Sequence, residues 1–135
     1  LLKCEDFFPS IETAMKKILI VEDVPDNAEL ARKILASRGY EVLQAENAES
    51  GFQSALDHRP DLILLDLGLP DHDGLTLASW LRASDGFENL RIVAYTAWPP
   101  DTAREMSTSY GCDGFVAKPI ISVVEFLAQI EPLLA

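Results

Sequence analysis

The sequence predicts an α/β fold, a parallel sheet with helices over both faces, and three observations carry that prediction. From Lys17 onward, short aliphatic and β-branched runs alternate with segments of helical periodicity, five times over. Strands separated in this way by helices run parallel, with right-handed crossovers. A length of 135 residues suits one domain with one continuous core.

Each element has a local reason. The first strand is read at Lys17–Val21, and the helix after it begins near Pro25, a residue suited to a first helical turn. That helix places Leu30, Ile34 and Leu35 on one face and stops at Gly39 as its C-terminal cap. The second strand is Glu41–Ala45. Its helix is capped by Asn47, carries Ala48, Phe52, Ala55 and Leu56 on one face, and ends before Pro60. The third strand is Asp61–Leu65, followed after Asp73-Gly74 by a helix with Leu75, Ala78 and Leu81 inward; Asp71 and Asp73 are expected to shape the turn and cap that helix. The fourth strand, Arg91–Tyr95, leads to a helix at Asp101–Tyr110 whose apolar face is only Ala103, Met106 and Tyr110, so this helix should be the least firmly docked. The fifth strand is Gly114–Ala117, and the last helix starts at Ser122 with Val123, Leu127, Ile130 and Leu134 in helical spacing. That pattern ends one residue before Ala135, and no output domain is expected after it. Residues 1–14 lack the alternation and read as an N-terminal extension or linker, leaving 15–135 as the folded domain.

Composition removes several function classes. Hydrophobic residues make up 48% and charged residues 24%, ordinary values for a globular chain. The longest apolar runs, such as Ile18–Val21 and Leu62–Leu65, are far shorter than the roughly 20 residues that span a bilayer. The first ten residues do not read as a secretory signal, so a cytoplasmic location is expected and no membrane partner. A net charge of -11 disfavours direct nucleic-acid binding, which needs clustered Lys and Arg. Cys4 and Cys112 form no CxxC pair and read as plain thiols, and Cys112 has no basic neighbour in sequence to activate it.

Chemistry concentrates at the carboxyl ends of the strands, where a parallel α/β sheet holds its ligands. The first strand, ILIV, ends in Glu22-Asp23, and the third, LILL, ends in Asp66. If these strands are neighbours, three like charges crowd one pocket, which should raise their pKa values and oppose folding. A cation between them resolves the conflict. Mg²⁺ (or Mn²⁺) suits the donor set, because Mg²⁺ takes one or two carboxylates, keeps several waters and completes its shell with phosphate oxygens. The fourth strand delivers the hydroxyl of Thr96 and the fifth the ammonium of Lys118 to the same edge, two donors for phosphoryl oxygens.

Carboxylates, hydroxyl and lysine at successive strand ends resemble the receiver domain of two-component response regulators. The motifs stand in family order as ILIVED (18–23), LILLDLGLPDHDG (62–74), VAYTA (93–97) and GFVAKP (114–119). The resemblance covers Lys16 to Leu134. It implies a flavodoxin-like, doubly wound (βα)5 fold with strand order 2-1-3-4-5 and the site at the switch point between the first and third strands. It also implies that Asp66 is the phosphoacceptor, taking a phosphoryl group from a histidine kinase, a histidine phosphotransfer protein or a small phosphodonor, with slow self-dephosphorylation by water. Glu22, Asp23, Asp66 and the backbone carbonyl of Gly68 would hold the metal. Lys118 would pair with a phosphoryl oxygen, and Thr96 and Phe115 would form the switch pair. The fourth helix, fifth strand and fifth helix would then signal to a downstream protein target. Lys118-Pro119 resembles the family's cis peptide. The last helix is most similar to those of stand-alone receivers.

Other readings of the same residues are available. A haloacid-dehalogenase-type phosphatase also uses a strand-end aspartate with Mg²⁺ but needs a second acid two residues later, where this chain has Gly68. A flavodoxin needs a Ser/Thr/Gly-rich loop after the first strand, where this chain has EDVPDNAE. The chain also fits the receiver segment of a hybrid histidine kinase or larger regulator. Taken singly, Asp66 is a capping carboxylate, Thr96 and Lys118 are surface groups and Phe115 is a core aromatic. His58 and His72 read as solvated, since no metal-ligand spacing joins them.

Overall fold

The computed structural model describes residues 15–135, so the expected N-terminal extension, with Cys4, lies outside the described residues. Five strands, β1 (Lys17–Val21), β2 (Glu41–Ala45), β3 (Leu62–Asp66), β4 (Arg91–Thr96) and β5 (Gly114–Ala117), form one sheet ordered β2-β1-β3-β4-β5. All four pairings are parallel. The crossovers are α1 (Pro25–Ser37), α2 (Ala48–His58), α3 (Gly74–Ala83) and α4 (Pro100–Ser109), and α5 (Val123–Leu134) closes the described fold. This is the predicted doubly wound architecture.

Period-two alternation along the strands divides the core between the two faces. Ile18 and Ile20 of β1 and Leu62 and Leu64 of β3 pack with α1 and α5, against Ala31, Leu35, Phe126 and Ile130. Leu19, Val21, Ile63 and Leu65 turn the other way, onto Ala55 of α2 and Leu77, Ala78 and Leu81 of α3. Every residue of β3 is buried, and each of its four aliphatic side chains contributes about 1.5–3 kcal/mol relative to exposure. Central placement in a two-faced sheet explains why a run of apolar residues without alternation forms this strand.

Several helix faces differ from the sequence reading. Leu30 is 40% exposed; α1 buries Ala28, Ala31, Ile34 and Leu35, a stripe a quarter-turn away. On α5, Val123 is exposed and Phe126 takes the inward position with Ile130 and Leu134. Tyr110 lies beyond the end of α4 and is exposed, leaving Ala103 and Ser107 as the buried residues of that helix. The thin docking expected of α4 is therefore present, with a serine where an apolar residue was expected. The caps also divide differently. Asn47 and Ser50 form a reciprocal capping box at α2, and Asp73 caps α3 through the Thr76 amide at 2.7 Å. Asp71 belongs to α2 instead: its carboxylate accepts from the amides of Ala48 (2.8 Å) and Glu49 (3.0 Å) as well as from His72. These amides, with the end of the helix dipole behind them, outweigh desolvation and hold the Asp71 carboxyl below its ordinary pKa.

Arg82, in the last turn of α3, ties two loops together, the one before β4 and the one before β5. Its guanidinium donates to the carbonyls of Phe87 (3.2 Å), Leu90 (2.8 Å) and Gly111 (2.9 and 3.0 Å) and pairs with Asp113 at 3.0 Å. Asp113 in turn accepts from the Ile92 amide at the start of β4. Arg82→Ala strands several carbonyls at once and is expected to cost roughly 2–3 kcal/mol, read as a lower urea midpoint at unchanged slope.

Candidate functional site

The carboxyl ends of β1, β3, β4 and β5 meet at one edge of the sheet. Glu22 follows β1 directly and is 3% exposed; its amide donates to Ala45 at 3.0 Å, which fixes the chain as it leaves the sheet. Asp66 is the last residue of β3, one residue further into the ladder than the sequence indicated, with Tyr95 as its register partner. Thr96 likewise lies within β4, opposite Ala117. Lys118 follows β5, and its amide donates to the Thr96 carbonyl at 2.8 Å. The sheet's own hydrogen bonds thus position these residues. The Lys118-Pro119 peptide is cis, as the resemblance implies.

Glu22, Asp23 and Asp66 each bring a carboxylate oxygen within 4.8 Å of the others. Between the two buried ones stands the Lys118 ammonium, 2.7 Å from Glu22 Oε1 and 3.0 Å from Asp66 Oδ1. It lies 4.9 Å from the centroid of the Tyr95 ring, within reach of its face. Asp66 Oδ1 also accepts from the Gly68 amide at 3.0 Å, and Glu22 Oε2 from the Val24 amide at 3.0 Å. The Thr96 hydroxyl accepts from the Trp98 amide at 3.0 Å. Phe115 sits half-buried on β5 against the cluster of Leu67, Leu75 and Ala94, with the Arg104 guanidinium 5.6 Å from its ring centroid.

Crowding does not raise all the carboxylates, contrary to the expectation from sequence. Burial pushes Glu22 above its ordinary pKa, outweighing the Lys118 and Val24 hydrogen bonds, and the Asp66 charge adds to the rise. Asp66 is desolvated too, yet the Gly68 amide and the Lys118 ammonium prevail and hold it below the ordinary range. The same pocket therefore pushes the two acids in opposite directions, Glu22 up and Asp66 down. Burial and the same two acids push the Tyr95 phenol up to about 12, so it remains neutral.

The two acids have opposite linkage to stability. Glu22, raised in the fold, costs stability progressively as pH climbs above the ordinary carboxylate range through its folded pKa. Asp66, lowered in the fold, supplies stability that is present above its unfolded pKa and lost as pH falls through the folded one. Glu22→Gln removes the first effect, and Lys118 keeps Asp66 as a partner. The variant is expected to gain about 1 kcal/mol, a few degrees in melting temperature, in metal-free neutral buffer. An equal or lower melting temperature across pH 5–8 would count against this account of the site.

The structure gives Gly74 and His72, read from the sequence as a turn residue and a solvated side chain, closer ties to their neighbours. A Cβ on Gly74 would overlap the Asp66 carbonyl oxygen and stand 2.9 Å from Leu67 Cα, so the first turn of α3 lies directly against the backbone of Asp66. Local sequence signals only a turn there. His72, expected to be solvated, meets Glu49 at 3.3 Å and lies edge-on to Trp80 with centroids 4.9 Å apart. With Asp71 these groups form a second cluster of possible ligands, although the Asp71 oxygens are already taken by three backbone amides. His58 is exposed, as expected. Burial pushes the Cys112 thiol up to about 11, consistent with an inert thiol. Among the described residues no helix is long and apolar enough to cross a membrane.

Comparison with known proteins agrees with this geometry. The family model of the response regulator receiver domain matches residues 18–131. The polar-differentiation response regulator DivK of Brucella anthropi is 35% identical over 119 residues, covering 88% of this chain and 96% of that protein. Among solved structures, the receiver domain of a sensor histidine kinase from Pseudomonas aeruginosa, with a magnesium ion coordinated in its active site cleft, superposes with a TM-score of 0.80 at 30% identity over 90% of this chain and 98% of that one. The signal receiver domain of a histidine kinase from Syntrophus aciditrophicus gives 0.79 at 30% identity, over 88% and 89%.

Proposed function

The chain belongs to the response regulator receiver domain family, and we propose that its phosphoacceptor is Asp66, activated with Mg²⁺ held by Glu22, Asp23, Asp66 and the Gly68 carbonyl. The observation that carries this reading is the carboxylate of Asp66, fixed at the strand end beside an ammonium and two further acids. Its Oδ1 is engaged by Gly68 and Lys118, which leaves Oδ2 to attack phosphorus in line with the leaving group.

The donor set fits the metal. Three carboxylates in one pocket, two of them buried, have a single ammonium set between them, and a hard divalent ion with oxygen preference answers the remaining charge. When bound, Mg²⁺ supplies charge neutralisation at phosphoryl oxygens. Lys118 leaves Glu22 to pair with a phosphoryl oxygen while staying near Asp66. Thr96 gives up the Trp98 amide as its partner and donates its hydroxyl to another, and Phe115 follows it inward. The readout is the surface of α4, β5 and α5, offered to a downstream protein. The phosphodonor is a histidine kinase or histidine phosphotransfer protein in the cytoplasm.

Two relatives of similar fold are receiver domains of histidine kinases, so the segment of a hybrid kinase is the second reading; it keeps the same site and chemistry. Intact mass after incubation with acetyl phosphate and Mg²⁺ tests the proposal. A single added phosphoryl group, stable to acid and labile to base, is expected. No added mass, together with no spectral response to beryllofluoride and Mg²⁺, would overturn it.

A further inference from the structure

The Lys118 ammonium has three close neighbours. Glu22 Oε1 at 2.7 Å and Asp66 Oδ1 at 3.0 Å are two of them. The third is the Tyr95 ring, over which the ammonium lies 4.9 Å from the centroid. A cation over an aromatic face is attracted by the ring's negative π-surface, more strongly where water is excluded. Here the Lys118 side chain is 13% exposed and Tyr95 is fully buried.

The ring is held where it stands. Tyr95 lies within β4, with Asp66 of β3 and Val116 of β5 as its register partners. Its side chain belongs to the core that includes Ala28, Val116 and Phe126. The phenol donates to the Asn27 carbonyl, in the first turn of α1, at 3.4 Å. Glu22 and Asp66, by contrast, are also the proposed ligands of the metal. With a divalent ion on them, Lys118 shares both carboxylates with a like charge in a buried pocket, where repulsion is poorly screened. A hard cation takes oxygen donors and has no use for a ring face, so the ring remains a partner of the ammonium alone.

We propose that Tyr95 is a positioning residue for phosphoryl transfer: its ring face keeps the Lys118 ammonium in the pocket when Glu22 and Asp66 turn to the metal, ready for the phosphoryl oxygen. An aliphatic residue at this place in β4 would fill the core without offering such a face. The role in transfer rests on the phosphoacceptor and metal reading above, whereas the contact in the metal-free protein does not.

The test compares Tyr95→Phe with the chain bearing, at the same position, a phenylalanine fluorinated at the para and both meta carbons. The two rings are close in size and both apolar, so packing is matched, but fluorination removes the negative face. The readouts are the ε-methylene proton shifts of Lys118 in protein labelled at lysine, assigned through Lys118→Arg, and the rate of phosphorylation by acetyl phosphate. Without metal, the Lys118 methylene is expected upfield of those of the other lysines, from the ring current, in the parent protein and in Tyr95→Phe. On saturation with Mg²⁺ that displacement should persist in both and be lost in the fluorinated protein, whose phosphorylation should be about five-fold or more slower than that of Tyr95→Phe. Absence of the upfield shift in the metal-free parent overturns the contact. Equal phosphorylation rates for the two rings, or a Lys118 shift lost from the parent on adding Mg²⁺, overturns the positioning role and leaves Tyr95 a packing residue. Failure of the parent to take up a phosphoryl group strikes the phosphoacceptor reading instead, and the metal-free shift still decides the contact.

Discussion

Asp66→Asn is expected to abolish phosphorylation by acetyl phosphate, with no phosphoryl mass appearing under conditions that label the unmodified protein to completion. The substitution is nearly isosteric, so its amide oxygen still accepts from Gly68 and the fold is retained, while Lys118 keeps Glu22 at 2.7 Å. What disappears is the anionic oxygen that attacks phosphorus, and no neighbour replaces it. Glu22 is buried, bound to Lys118 and the Val24 amide, and driven toward its protonated form. Asp23 leaves the sheet one residue beyond Glu22, outside the strand ladder that fixes Asp66. The expected loss is at least about 100-fold, the scale seen when a nucleophile is removed. Labelling of Asp66→Asn at the rate of the parent protein, with the phosphoryl group mapped to another carboxylate, would refute the assignment.

The sheet and the strand-end residues were legible because burial and charge alternate abruptly along the chain. ILIV followed by Glu22-Asp23, and LILL followed by Asp66, read directly as buried strands ending on charges. Their convergence follows from parallel topology alone, and β1 and β3 are indeed neighbours. Less legible was anything decided by tertiary neighbours. Leu30 obeys helical spacing yet faces outward, because α1 is rotated to bring its alanines against the sheet. Asp71 lies two residues before the cap of α3, but its carboxylate is drawn to the bare amides of α2. The sign of the Asp66 shift was missed because the sequence placed Lys118 at the same edge without showing it between the two acids. Ser107 was passed over because a lone serine on a helix carries no signal until its partners, or their absence, are known.

Gly74→Ala should be among the most damaging single-methyl changes in the chain. The added Cβ meets backbone atoms on the Asp66 carbonyl and at Leu67 Cα, and backbone does not yield as the end of a side chain does. Neither partner has room to retreat. β3 is buried throughout and hydrogen-bonded on both sides, to β1 and β4. α3 is fixed by Asp73 at its start and by Leu75, Leu77, Ala78 and Leu81 along its buried face. Relief therefore requires moving the residue that carries the nucleophile or lifting α3 from the sheet, at a cost of about 3 kcal/mol or more. A correspondingly lower urea midpoint is expected, with a weakened beryllofluoride response even where the variant remains folded. Gly68→Ala is the matched control, since its Cβ would stand 3.9 Å from Asp66 Oδ1 in ordinary contact and leave the main-chain groups in place. Equal midpoints for the two variants would mean that α3 does not brace Asp66, and that the position of the nucleophile is set by the strand ladder alone.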